Sequence, residues 1–212
     1  EEEIDWEKAV QYIGGRGYAS KIVYDSLKPK IDPLSEDNVL AFFTGPLTGT
    51  VVPSTGRFSV TSKSPLTGAI STSNCGGFFG VELKKAGYDG IVVRGRSEEP
   101  VYLYIEDGKA EIVEAGELWG KTTGACEDYL KSKHPGCKVV SIGPAGENKV
   151  RISAIMADKH RAAGRGGLGA VMGSKRLKAI AVKGKGKVEV ANPYALKREA
   201  EKVRDILMRN PI

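Results

Sequence analysis

The chain has 212 residues with 32 Lys+Arg against 26 Asp+Glu, a net charge of +6, and 27 glycines, enough length to bury a sizeable core in one large or two small domains. Cys75, Cys126 and Cys137 are odd in number and lack C-x-x-C spacing, which excludes a disulfide framework and a self-contained zinc or iron–sulfur site. No apolar run reaches a membrane span or a signal peptide, and no basic run with interleaved aromatics tracks a nucleic acid, so the expectation is a cytoplasmic protein without membrane or nucleic-acid partners.

In chain order, Asp5 can cap a helix whose apolar positions Trp6, Val10 and Ile13 share a face, and GGRG interrupts it before Ile22, Val23 and Leu27 resume. VLAFFTGPLTGT reads as a buried strand ending in a turn, and RFSVTSK as an alternating strand. AISTSNCGGFFGVELKKAG predicts strand, glycine-rich turn and helix, stopped at Gly87. The free N–H groups at that helix start favour an anion. DGIVVRG and PVYLYIEDGKAEIVEAG predict strands, the second folded into a hairpin at Asp107-Gly108. A helix over Thr123 to Lys133 is closed by HPG. CKVVSIGPAGENKVRISAIMADKHRAAGRGG follows as strand, turn, strand and glycine loop, then LKAIAVKG as a strand. Asn192-Pro193 opens a last helix with Leu196, Ala200, Val203 and Leu207 on one face.

Two passages share one order of features: a Gly-Pro turn (Gly45-Pro46, Gly143-Pro144), an Arg-x-Ser strand (Arg57 and Ser59, Arg151 and Ser153) and a glycine loop. An internal duplication would account for this and would place two similar loops about a pseudo-two-fold axis, suiting a ligand with two similar halves.

The second loop, GRGGLG, satisfies G-x-G-x-x-G at Gly164, Gly166 and Gly169, yet ISAIMA ends well before it and DKHRA intervenes, so a dinucleotide fingerprint is not expected. Lys175 is followed by Arg176, which rules out a Walker loop. Two readings stay open for the loop: a tight turn packed on a sheet, or an anion cradle with Arg161 and Arg165 supplying forked donors. His160 is a general base by its pKa class or a surface residue, His134 a helix cap, and Cys75 a packed small residue or a thiolate stabilised at a helix start. No catalytic triad, acid pair or metal-ligand cluster assembles from spacing.

Together, YIGGRGYA, GPLTGT, TGRFSVTSKSPLTG, NCGGFFGVELKKAGYDGIVVRG, LWGKTT, SIGPAGEN and HRAAGRGGLGAVMGSKRLKAIAV resemble the N-terminal domain of the tungsten-containing aldehyde:ferredoxin oxidoreductases, in order from about Ile13 to Val190. The resemblance implies an α+β fold of two intertwined, duplicated β-rich halves with flanking helices, carrying a bis-pterin cofactor whose two dithiolenes hold tungsten. It implies a platform over residues 1–190 and the start of a following helical domain, or a linker helix, over 191–212. Arg57 matches an arginine that meets pterin phosphate, Asn74 and Gly76 match the first cofactor loop, and Arg161, Ala162 and Gly164 match the second, with Arg165 beside them. The backbone carbonyls of Asn74 and Ala162 match those around a magnesium ion bridging the phosphates. Cys75 stands where serine is expected. The implied whole enzyme oxidises aldehydes to carboxylic acids and passes electrons through a four-iron cluster, held in further C-terminal domains, to ferredoxin; a second copy of the chain is among the partners the resemblance allows, and this part alone is expected to hold no catalytic residue and to be inactive. A nucleotide- or RNA-binding module using the same loops is the alternative.

Overall fold

A computed structural model describes residues 2–210. Two helices lead, α1 (Trp6–Tyr12) and α2 (Gly15–Ser26), followed by strands β1 (Leu40–Thr44), β2 (Phe58–Lys63) and β3 (Ile70–Cys75), helix α3 (Phe79–Lys85) and strand β4 (Gly90–Val93). These strands form a four-stranded antiparallel sheet in the order β3-β2-β1-β4. The chain continues through β5 (Val101–Glu106), β6 (Lys109–Glu114), α4 (Thr123–Lys133), β7 (Lys138–Ser141), α5 (Pro144–Glu147), β8 (Ile155–Ala157), β9 (Arg161–Ala163), α6 (Leu168–Ser174), β10 (Leu177–Lys183) and α7 (Pro193–Arg209). The second sheet has six strands in the order β6-β5-β10-β7-β8-β9, with β5 and β10 parallel and the other neighbours antiparallel.

The period-2 alternation of the central strands sets the layers. In β1, Leu40 and Phe42 face one way, and Ala41 and Phe43 the other, against Ala19 and Val23 of α2. In β10, Ile180 and Val182 join the same cluster as Leu40 and Phe42, whereas Ala179 and Ala181 pack with Cys126 and Leu130 of α4. The shared cluster also holds Phe79 and Leu83 of α3 and Leu168, Val171 and Met172 of α6. One core therefore ties both sheets together, and α2 and α4 cover their other faces.

Local chemistry accounts for the elements. Asp107 and Gly108 both take positive φ, 44° and 83°, and Glu106 pairs with Lys109, the two-residue loop that matches the right-handed strand twist. Thr122 Oγ1 accepts the Ala125 N–H at 3.3 Å to open α4, and Asn192 Oδ1 accepts the Ala195 N–H at 2.9 Å to open α7.

Burial and register add what the pattern does not carry. Asp5 caps α1 as expected, and the apolar face of Trp6, Val10 and Ile13 is 78%, 77% and 71% exposed. Of the face Leu196, Ala200, Val203 and Leu207, only Ala200 is buried. Arg151 and Ser153 lie in a turn and its exit rather than a strand, and β8 begins at Ile155. Ala163 pairs with Ile155 as Cys75 pairs with Phe58, so the register counterpart of Arg57 is Ala154, not Arg151. The letters Arg-x-Ser misled because strand register is fixed by pairing and burial, not by a shared tripeptide.

Candidate functional site

Strands β3 and β9 are edge strands of the two sheets, and each runs straight into a glycine loop. In the first, Asn74 stands opposite Ser59 and its Nδ2 donates to Ser59 Oγ at 3.3 Å, while Arg57 Nε donates to Asn74 Oδ1. The amide is thus oriented from both sides. At Gly76 the only atom near the position of an added Cβ is an Arg57 guanidinium nitrogen, 3.7 Å away, so the surface there is open.

The second loop repeats the exposure pattern. Asn74 and Ala162 are exposed, Cys75 and Ala163 behind them are buried, and Gly76 and Gly164 follow at the surface. DKHRA, expected to separate a strand from the loop, contains a three-residue turn, Asp158 to His160, in which Asp158 and Lys159 have φ of 46° and 58°, followed by β9 itself. A strand does precede Gly164. Most of the remaining glycines answer to the protein's own backbone. A Cβ at Gly167, Gly169 or Gly173 would lie 1.9, 2.6 or 2.0 Å from the carbonyl oxygens of Arg151, Ala154 and Gly146. In this loop only Gly164, with Ala162 Cβ at 3.8 Å, leaves space open.

The loops hold each other across the sheets. Ser73 Oγ of β3 accepts the Arg165 N–H at 3.0 Å, and Ser64 Oγ donates to the Gly166 carbonyl at 2.7 Å. In return Asp158 Oδ2 accepts the Phe78 N–H at 2.8 Å. These contacts join Arg57, Asn74 and Gly76 in the first loop, set Arg161 beside Gly77 and tie Arg165 to β3, and Ala162 and Gly164 lie between those two arginines in the chain. Sequence reasoning missed Asp158, Ser64 and Ser73, whose signal is only a polar residue in a turn or an edge strand.

Among the described residues Arg57, Arg161 and Arg165 form no ion pair, and all are exposed. Forked donors without an acidic partner, beside open glycine backbone, suit phosphate oxygens. No three His, Cys, Asp or Glu side chains come together to hold a metal ion among the described residues. Burial pushes the Cys75 thiol up to about 11, against the opposing pull of Arg57 and Arg161. It is a buried thiol at neutral pH, not a thiolate. His134 ends α4, bonds Tyr102 OH through Nε2 at 3.0 Å and stacks on Tyr104, with burial lowering its pKa; His160 is exposed in the turn before β9.

The profile of the family described as "Aldehyde ferredoxin oxidoreductase, N-terminal domain" matches residues 1–184. The chain belongs to this family. The tungsten-containing aldehyde ferredoxin oxidoreductase of Pyrococcus horikoshii is 50% identical over 96% of this chain and 35% of its own length, and that of Pyrococcus furiosus 52% identical over 90% and 32%. The "Aliphatic sulfonate oxidoreductase, WOR-like subunit" of Pyrococcus furiosus is 42% identical over 88% of this chain. Among solved structures, the "Active site complex BamBC of Benzoyl Coenzyme A reductase in complex with 1,5 Dienoyl-CoA" matches 96% of this chain and 31% of its own at a TM-score of 0.94 and 40% identity. The chain spans about a third of the length of these curated relatives. No helix among the described residues is long and apolar enough to cross a membrane.

Proposed function

We propose that residues 1–190 are the platform for a bis-pterin tungsten cofactor in a longer aldehyde:ferredoxin oxidoreductase, with residues 191–212 leading into the following part. The observation that carries this is the pair of open glycine loops held against each other, each with exposed arginine that forms no ion pair among the described residues. A ligand with two phosphate-bearing halves fits such a pair. The sheet orders favour a duplication: β3-β2-β1-β4 and β9-β8-β7-β10 follow the same course of three strands, helix and strand, apart from the short α5 between β7 and β8.

In this reading Arg57, with Asn74, Gly76 and the first loop, holds one pterin phosphate, and Arg161 and Arg165, with Ala162, Gly164 and the second loop, hold the other. The Asn74 and Ala162 carbonyls would help to hold a magnesium ion, whose charge would offset that of the phosphates. When bound, the cofactor supplies the two-electron oxidation of an aldehyde to a carboxylic acid; this chain supplies binding and orientation. The relatives' names support ferredoxin as the acceptor; in this reading the electrons reach it through a four-iron cluster held by the longer protein. The family and these names give the nucleotide- or RNA-binding module no support.

The test is metal and pterin content per polypeptide of the full-length protein carrying Arg57→Ala or Arg161→Ala. Each variant is expected to retain fold and lose most of its tungsten. Full tungsten in both overturns the proposal.

A further inference from the structure

We propose that Asp158 is a positioning residue of the cradle, a clasp from the β8–β9 turn that fixes the first glycine loop against the second; this rests on the reading of the loops as a cofactor site. Its Oδ2 accepts the Phe78 N–H at 2.8 Å, a bond strengthened by the carboxylate charge. The same oxygen occupies the space that a side chain at residue 77 would need. Gly77 has φ of 103°, and a Cβ there would sit 2.2 Å from Asp158 Oδ2 and 3.6 Å from Arg161 Cγ. The clasp therefore sets Gly76–Phe78 directly against the stem of Arg161.

The clasp is itself anchored. Asp158 and Lys159 take positive φ, a conformation aspartate tolerates, and this turns the carboxylate toward the opposite sheet. Glu127 of α4, 3% exposed, accepts the Lys159 N–H through Oε2 at 2.9 Å, and Lys159 Nζ pairs with Asp128 at 2.5 Å. A continuous line runs from α4 through Glu127 and the turn to the first loop. Ser64 and Ser73 hold the second loop from the first sheet in the reverse sense. Each half of the cradle is thus positioned by the other sheet, and the spacing between the Arg57 half and the Arg161 half is set by these cross-links.

Asp158→Gly removes the carboxylate while suiting the positive φ, so it tests the clasp without straining the turn. Asp158→Asn keeps an acceptor oxygen in place. In the full-length protein we expect Asp158→Gly to speed amide exchange over residues 76–79 roughly tenfold, with the β5–β6 hairpin unaffected, and to cut pterin released per polypeptide about fivefold. Asp158→Asn restores both. Unchanged exchange or full pterin in Asp158→Gly overturns the proposal, as does an Asp158→Asn variant as deficient as Asp158→Gly. Full pterin in both Arg57→Ala and Arg161→Ala would instead overturn the cradle reading, while the exchange result still decides the clasp.

Discussion

The two glycine loops share a sequence rhythm and put it to different use. In the first, Gly76 opens to the surface and Gly77 makes room for Asp158 from the other sheet. In the second, only Gly164 is open; Gly167, Gly169 and Gly173 let α6 lie directly on the backbone of the segment from Gly146 to Ala154. A glycine-rich run is thus a record of close approach, and the approaching group can be a ligand or the chain itself.

The sharpest way to break this comparison is to add one methyl group at each kind of position. Gly173→Ala brings a Cβ to 2.0 Å from the Gly146 carbonyl oxygen, and Gly167→Ala to 1.9 Å from that of Arg151. Each is expected to cost about 4 kcal/mol or more, enough to remove folded protein from the soluble fraction. Gly164→Ala should shift stability by less than about 0.5 kcal/mol while crowding the ligand surface. Equal denaturation midpoints for Gly164→Ala and Gly173→Ala would erase the distinction.

The same asymmetry extends to charge. Lys178 of β10 is fully buried, pairs with Glu147 and donates to the Lys121 carbonyl at 2.8 Å, and Glu147 Oε2 accepts the Gly120 N–H at 2.9 Å. Glu147 adjoins the Gly146 on which α6 rests, so this pair fastens the support of the second loop. Lys178→Met strands a buried carboxylate and is expected to cost about 3–5 kcal/mol. In the first sheet's half, the Lys84–Asp89 pair leaves Asp89 40% exposed, and Lys84→Met should cost under about 1 kcal/mol. Urea midpoints of the two variants measure the difference.

A smaller effect sharpens it by pH. Lys175, just after α6, is 2% exposed and donates to the carbonyls of Gly95 at 2.9 Å and Glu36 at 3.2 Å. Burial lowers its pKa from 10.5 to about 8. The folded state then sheds this proton first, and between pH 8 and 10.5 the unfolded chain holds more protons. Lys175 therefore imposes a penalty below pH 8 that is relieved as pH rises toward 10.5. The three cysteines act oppositely, since burial raises each thiol from 9.0 to about 11. Comparison with Lys175→Met isolates the lysine: wild type should gain about 2–3 kcal/mol relative to the variant across that window. A constant difference would show that Lys175 does not titrate there.

Local signals were strong enough to read directly from sequence at several points. Asp107-Gly108 specified its hairpin because only a positive-φ pair fits the strand twist, and α4 ran from Thr123 to Lys133 as its cap and stop residues indicate. The family was readable because its motifs run unbroken and in order through most of the chain. Asp158 was not, because its partner Phe78 lies 80 residues away and nothing local marks an aspartate that will reach across two sheets. The exposure of the α1 face was not legible for a related reason: periodicity reports an apolar stripe but not what covers it.

What the sequence by itself determined, then, is the family and those elements marked by local signals, the Asp107-Gly108 hairpin and the helix from Thr123 to Lys133 among them, since propensity, caps and motif order are local properties. Which glycines stay open and which lie against the chain, and which side chains hold each loop in place, was decided only in three dimensions. The physical reason is that close approach and hydrogen bonding between sheets depend on register and layer packing, and these exist only once the shared core of Leu40, Phe42, Ile180 and Val182 has formed.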